Sequence, residues 1–209
     1  MKKATLVRCV FIFGLIVVLA AMLAPSVQAA PLKTVENLQA AFNGESNANA
    51  RYLAFAKKAD EEGYGPVASL FRAAAKAEEI HAATHAAVIK QLGAEPKADV
   101  KAPVAKSTKE NLEEALKGET YERDTMYPEF IKQAKADKNK KAIEAFSEAK
   151  VAEGSHAKLY DEAIKNLASW KGPRKDFNLC SVCGYIVVAI DFKKCPNCMA
   201  PVEKYVKVG

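Results

Sequence analysis

The chain repeats itself, and the repeat carries chemistry. "ENLQAAFNGES" at Glu36–Ser46 matches "ENLEEALKGET" at Glu110–Thr120, with more than half the aligned positions identical. One residue of extra spacing then brings "AEEIHA" at Ala77–Ala82 onto "AEGSHA" at Ala152–Ala157. Each copy is therefore a helix hairpin with a Gly-Glu on its first helix and a Glu-x-x-His on its second. Residues i and i+3 share a helix face, so each pair points its carboxylate and imidazole the same way. Two amphipathic hairpins bury their apolar stripes by packing face to face, which makes a four-helix bundle.

Helix boundaries follow from local signals. A first helix over "TVENLQAAFNGESNANARYLAFAKKADEEG" stops at Gly63 and Gly65, and a second starts near Pro66 and runs to about Gln91, where Gly93 ends it. Ser107 with Glu110 has capping-box spacing and opens a third helix, inside which Pro128 predicts a kink. A fourth runs from about Lys138 to Ala168. The connection "GAEPKADVKAPVAKST" lacks apolar periodicity. About fourteen extended residues reach ~45–50 Å, and a helix of about 27 residues is ~40 Å long, so it can run the length of the bundle. One long crossover between hairpins is the ferritin-like arrangement. The fold class is mainly α: a ferritin-like four-helix bundle with one long crossover, and a small C-terminal cysteine module.

One Glu from each of two helices (Glu45, Glu119) and a Glu-x-x-His from each of the others (Glu78/His81, Glu153/His156) is the ligand set of di-iron carboxylate bundles. Bridging carboxylates offset the repulsion of two close cations, and imidazole suits iron. Buried without metal, so many carboxylates would be very costly. His85 lies one turn after His81, but its counterpart in the second copy is Tyr160, so it reads as a surface residue or one that supports a ligand without binding metal itself.

"CSVCGYIVVAIDFKKCPNC" places Cys180, Cys183, Cys195 and Cys198 in two Cys-x-x-Cys turns, the spacing of a tetrahedral thiolate site for zinc or one iron. Two disulfides are the rival reading. Tyr185, Phe192 and Tyr205 would supply a small aromatic core, and "WKGPRKDFN" reads as the linker before it.

The N-terminus has a basic start, an apolar stretch from about Cys9 to Ala24, Pro25, and the small-residue ending Val27-Gln28-Ala29. This is the layout of a secretory signal cleaved near Ala29, with an uncleaved membrane anchor as the alternative. The domains are then 1–29 signal peptide, 30–169 bundle and 170–209 cysteine module, in an exported, periplasmic protein. Without Lys2, Lys3 and Arg8 the net charge falls from +6 to +3, too small and dispersed for a nucleic-acid surface.

"NGES…ARYLAFA", "LFRAAAKAEEIHA", "GETYERDTMYPEF" and "EAKVAEGSHAKLY" resemble, in order, the four helix motifs of the rubrerythrins, and "CGY" with "CPNCMAP" resembles the rubredoxin-like module fused to them. The resemblance implies that Glu45, Glu78, Glu119, Glu153 and His156 bind two non-haem irons. It implies that one iron is held by Glu122 when oxidised and by His81 when reduced, and that Tyr52 and Tyr127 hydrogen-bond the cluster carboxylates. A further iron, or zinc, sits on the four cysteines. Ser181 in place of the usual proline, Met199 where glycine is common, and a slightly short spacing depart from the rubredoxin pattern. The implied activity is reduction of hydrogen peroxide to water as oxidative-stress defence, with electrons relayed from an unidentified donor protein through the cysteine centre. The implied assembly is a homodimer in which one subunit's cysteine centre serves its partner's bundle. The alternative is a ferritin-like ferroxidase or iron-binding protein.

Overall fold

The structure is a computed structural model that describes residues 32–209. The export-signal reading at 1–29 lies outside the described residues. Helix α1 spans Leu32–Glu61 and α2 spans Gly65–Gln91. The third rod is α3 at Thr108–Tyr121, a π-helical turn at Glu122–Met126, and α4 at Tyr127–Ala136. Helix α5 spans Lys140–Lys165. No helix among the described residues is long and apolar enough to cross a membrane.

The local signals act as their chemistry requires. Gly63 takes φ 77° and Gly93 φ 78°, the left-handed backbone that ends α1 and α2. The Ser107 side chain accepts from the Glu110 N–H while the Glu110 carboxylate accepts from the Ser107 N–H. Instead of a simple kink at Pro128, the rod changes to a π turn just before it, and the Tyr127 N–H donates to the Glu122 carbonyl. The extra residue places Pro128 in the first turn of α4, where its missing N–H costs no ladder bond. Helix α5 begins later than expected because Lys138 turns left-handed (φ 54°) and Asn139 caps the helix, its Oδ1 accepting from the Ala142 N–H at 3.0 Å. It also ends earlier, at Lys165, with Leu167–Trp170 a 3-10 turn. Asn139→Ala is expected to cost about 1 kcal/mol of stability, the usual value of an N-cap, in urea unfolding.

The crossover runs beside α1, held by amides one helical turn apart. The Lys97, Asp99 and Lys101 N–H groups donate to Gln39 Oε1 (3.1 Å), Asn43 Oδ1 (2.8 Å) and Asn47 Oδ1 (2.9 Å). Extended backbone with no sheet partner is thereby satisfied. At the far end the Thr108 N–H and hydroxyl both donate to Glu62 at the end of α1. Helices α1 and α5 thus run in the same direction.

Apolar packing forms two clusters in the bundle, one including Tyr52, Phe55, Phe71 and Tyr160, the other Leu38, Ile89, Tyr127 and Phe146. After α5, strands β1 (Phe177–Cys180), β2 (Ile186–Val187) and β3 (Tyr205–Val208) form an antiparallel sheet of order β2-β1-β3. Leu179 pairs with Ile186 and Phe177 with Val208. Phe192 and Tyr205 pack at 5.3 Å between ring centroids, and Tyr185 and Tyr205 lie against the cysteines, as the aromatic content suggests. The larger side chains Phe177, Leu179 and Ile186 instead join the first bundle cluster.

Candidate metal centre

Helical spacing aims Glu78 and His81 from α2, and Glu153 and His156 from α5, into the bundle, where Glu45 of α1 and Glu119 of α3 meet them. All six are buried. Their ligand atoms form two groups: Glu45, Glu78, His81 and Glu153; and Glu78, Glu119, Glu153 and His156, the atoms of each lying within 4.8 Å of one another. Glu78 and Glu153 belong to both, as bridging carboxylates between two cations would.

The donor set fits a metal pair better than it fits itself. His81 Nδ1 lies 2.9 Å from Glu78 Oε2 and 3.0 Å from Glu153 Oε1. His156 Nδ1 lies 3.0, 3.5 and 3.6 Å from Glu153, Glu119 and Glu78 oxygens. Yet Glu45 Oε2, Glu78 Oε1, Glu119 Oε2, both Glu153 oxygens and His156 Nδ1 are buried without a hydrogen-bond partner. Buried polar atoms are rarely left so, and here they converge on shared points. Charge tells the same story. Burial, then the charge of Glu78, pushes Glu119 up to about 8. Burial would also raise Glu78, but the adjacent imidazoles of His156 and His81 outweigh it and bring that carboxyl down to about 2. Without cations the carboxylates cannot all ionise together; a divalent pair removes the conflict.

Tautomers are set from outside the bundle. His81 Nε2 lies 3.1 Å from the Cys183 carbonyl and His156 Nε2 2.9 Å from the Gly184 carbonyl. A carbonyl only accepts, so each Nε2 carries the proton and each Nδ1 presents a lone pair to the carboxylates.

The four cysteines are free, and their sulfurs also lie within 4.8 Å of one another. Cys180–Cys198 and Cys183–Cys195 are 3.8 and 3.7 Å apart. A disulfide needs about 2.05 Å. Four sulfurs about 2.3 Å from a tetrahedral metal stand ~3.8 Å apart, so the geometry is that of a metal site, for iron or zinc alike.

The rubrerythrin family profile matches residues 36–164. The chain belongs to the rubrerythrin family. It is 44% identical to nigerythrin of Nitratidesulfovibrio vulgaris over 176 residues, covering 82% of this chain and 85% of that protein. It is 33% identical to rubrerythrin-2 of Clostridium acetobutylicum over 179 residues, covering 82% and 95%. The solved structure of nigerythrin in its fully reduced, all-ferrous state matches with a TM-score of 0.77 at 42% identity, covering 83% of this chain and 86% of that one. A Desulfovibrio desulfuricans bacterioferritin, 24% identical with a TM-score of 0.62 over 78% of this chain and 94% of that one, shares the ferritin-like fold. As a rubrerythrin the chain has a carboxylate–histidine di-iron site and a four-cysteine metal site, and belongs among the di-iron proteins of oxidative-stress defence.

The remaining residues fall into place around that site. The Tyr52 hydroxyl donates to Glu119 Oε1 at 2.7 Å and the Tyr127 hydroxyl donates to Glu45 Oε1, so each apolar cluster clamps one terminal carboxylate. Glu122, on the π turn, is half-buried and outside both ligand groups. Burial, then the charges of Glu45 and Glu119, holds its carboxyl well above the usual range. Of the two readings of His85, the surface one fails and the supporting one holds: it is fully buried behind the ligand Glu45. Tyr127 spends its proton on Glu45, so it accepts from His85 Nε2 at 3.0 Å, and burial, then the charge of His81, lowers His85 to about 3 and keeps it neutral. The repeat gave no hint of this, because Tyr160 at the matching position packs instead on Tyr52, 5.8 Å between ring centroids.

The rubredoxin departures leave the sulfurs bonded. Backbone N–H groups of Val182 and Cys183 reach the Cys180 sulfur despite Ser181, and that of Ala200 reaches Cys198. Met199 adopts the left-handed φ of 61° that glycine would take, with its side chain exposed. Within the chain the cysteine module packs on the bundle through Leu179 and Ile186, with the Cys183 and Gly184 carbonyls on the two imidazoles.

Proposed function

We propose that the protein is a peroxidase that reduces hydrogen peroxide to water, with electrons relayed through the four-cysteine iron from a donor protein. The observation that carries this reading is the docking of the cysteine centre: Cys183 and Gly184 are hydrogen-bonded to the two imidazoles that complete the two ligand groups. An iron-storage bundle has no need of such a contact. When bound, a ferrous pair supplies the two electrons that, with two protons, convert one peroxide into two waters.

The chain's own residues do the rest. Tyr52 and Tyr127 fix Glu119 and Glu45, so the terminal carboxylates keep their positions as the charge of the centre changes. Burial, then the charges of Glu45 and Glu119, raises the Glu122 carboxyl beside the cluster, which suits it to hand a proton to the leaving oxygen. His81 stands with the ligand groups and Glu122 outside them, the arrangement that the family resemblance associates with the reduced site.

Anaerobic stopped-flow spectroscopy tests the reading. Reduced, iron-loaded protein mixed with one equivalent of peroxide should show the visible band of the oxidised tetrathiolate iron rising much faster than with oxygen. Glu122→Ala should load ferrous iron normally but slow that rise at least tenfold. A band indifferent to peroxide, beside rapid oxygen-driven oxidation of added ferrous iron, would favour the ferroxidase alternative. Equal loss of ferrous loading and of the oxidised site in Glu122→Ala would remove the exchange role.

A further inference from the structure

We propose that His85 is a positioning residue of the bundle site: through the Tyr127 hydroxyl it holds Glu45 still while the ligand beside Glu45 changes between His81 and Glu122. The inference rests on the exchange read for those two residues.

The two copies of the repeat clamp each other's carboxylates, Tyr52 of the first holding Glu119 and Tyr127 of the second holding Glu45. The two clamps stand on different footings. Tyr52 follows Glu45 by seven residues, and α1 runs unbroken through both. Tyr127 follows Glu119 by eight, and the π turn at Glu122–Met126 absorbs the extra residue, so that both tyrosines still face the site. That arrangement ties Tyr127 to Glu122, because the Tyr127 N–H donates to the Glu122 carbonyl. The Glu45 clamp therefore hangs from the turn that carries the exchanging carboxylate. Among the neighbouring charges, that of Glu45 acts on Glu122 most strongly. The change of ligand thus falls on the side of the site made by Glu45, Glu78, His81 and Glu153.

A hydroxyl tied to such a turn keeps its place only with an anchor elsewhere. His85 supplies it from α2, fully buried, with its ring packed on Phe146 of α5 at 5.4 Å between centroids. A metal-bound carboxylate only accepts, so Tyr127 gives its proton to Glu45 and accepts from His85 Nε2 at 3.0 Å. Accepting one bond strengthens the bond donated. His85 Nε2 lies 4.0 Å from Glu45 Oε1, too far to bond it, so His85 reaches Glu45 only through Tyr127. Its Nδ1 is buried with no hydrogen-bond partner among the described residues. An orphaned buried nitrogen costs stability that an apolar ring would not, so packing alone does not account for a histidine here. The mirror position makes the contrast. Tyr160 packs edge-on against Tyr52, 5.8 Å between centroids, and its hydroxyl is buried without a hydrogen-bond partner among the described residues. The clamp on the unbroken helix lacks the anchor that the clamp on the π turn has.

Cobalt(II) titration of the metal-free full-length protein tests the clamp, since thiolate-bound cobalt is read separately by its intense charge-transfer band. Wild-type protein should take two cobalt ions into the bundle beside the one on the cysteines. His85→Phe keeps a ring in the core but no donor, and should weaken one bundle site at least tenfold while leaving the other and the cysteine site unchanged. His85→Gln keeps a donor and should recover most of the loss. Tyr127→Phe should weaken the same site, and adding His85→Phe to it should weaken it no further. Tyr160→Phe should change neither site. Iron-loaded His85→Phe, cycled between dithionite and ferricyanide, should lose bundle iron at least threefold faster per cycle than wild-type protein. Equal weakening of both bundle sites, no recovery with glutamine, a further loss in the double variant or an equal loss in Tyr160→Phe would overturn the role and leave His85 a packing residue. Wild-type iron retention through the cycles would overturn the holding of Glu45 during exchange. The cobalt arm involves neither exchange nor peroxide, so its failure is distinguishable from failure of the proposed function.

Discussion

Glu78→Ala should empty the bundle of iron while leaving the visible band of the cysteine centre intact. Glu78 is one of two residues common to both ligand groups, and its two oxygens face different imidazoles. Losing a terminal carboxylate such as Glu45 depletes one group; losing Glu78 depletes both. Metal binding is also folding free energy here, since iron binds the assembled bundle and not the unfolded chain. At a free-iron concentration 1,000 times the dissociation constant, that linkage is worth about 4 kcal/mol. Wild-type protein should therefore melt at a higher temperature when ferrous iron is added under anaerobic conditions, and Glu78→Ala should not. Peroxide-driven oxidation of the cysteine iron should fall at least a thousandfold. A variant that kept full iron content and its thermal response would show that Glu78 does not bridge.

The readable part of the site was local. A Glu three residues before a His is visible in any helix, and the duplication of the pair told which residues face each other before any fold was known. Ser107 with Glu110 was readable for the same reason: the capping partners are three residues apart and meet wherever that helix starts. Gln39, Asn43 and Asn47 gave no such signal. Spaced four apart on α1 they look like ordinary solvated amides, and only the path of the crossover more than fifty residues away gives them partners. His85 shares a face with His81, but its fate depends on Tyr127 from another helix. Gly172 and Arg174 sit in a stretch whose composition reads as linker. Their partners, Gly63 and Asp60, lie over a hundred residues back, and a backbone clasp leaves no periodicity to read.

Phe177→Ala gives the second large effect, and it turns on that clasp. Phe177 opens β1 but is counted among the bundle's core residues, with Trp170 stacked on it and Lys175 over its ring. Truncating a fully buried phenylalanine costs about 3–5 kcal/mol, the lost transfer free energy plus the cavity left behind. Two units that share a core of this kind should unfold together. In urea, the tetrathiolate band and the helical circular dichroism of the wild-type protein should therefore share one midpoint. In Phe177→Ala the contacts left between module and bundle are the Gly172 and Arg174 clasp, the buried Leu179 and Ile186, and the polar contacts to His81, His156, Ser155 and Glu148, a smaller shared core than the wild-type protein has. The band should then disappear at a lower urea concentration than the helical signal, leaving a folded bundle whose imidazoles have lost their Nε2 partners. If the wild-type protein already showed two separate midpoints, Phe177 would not couple the units.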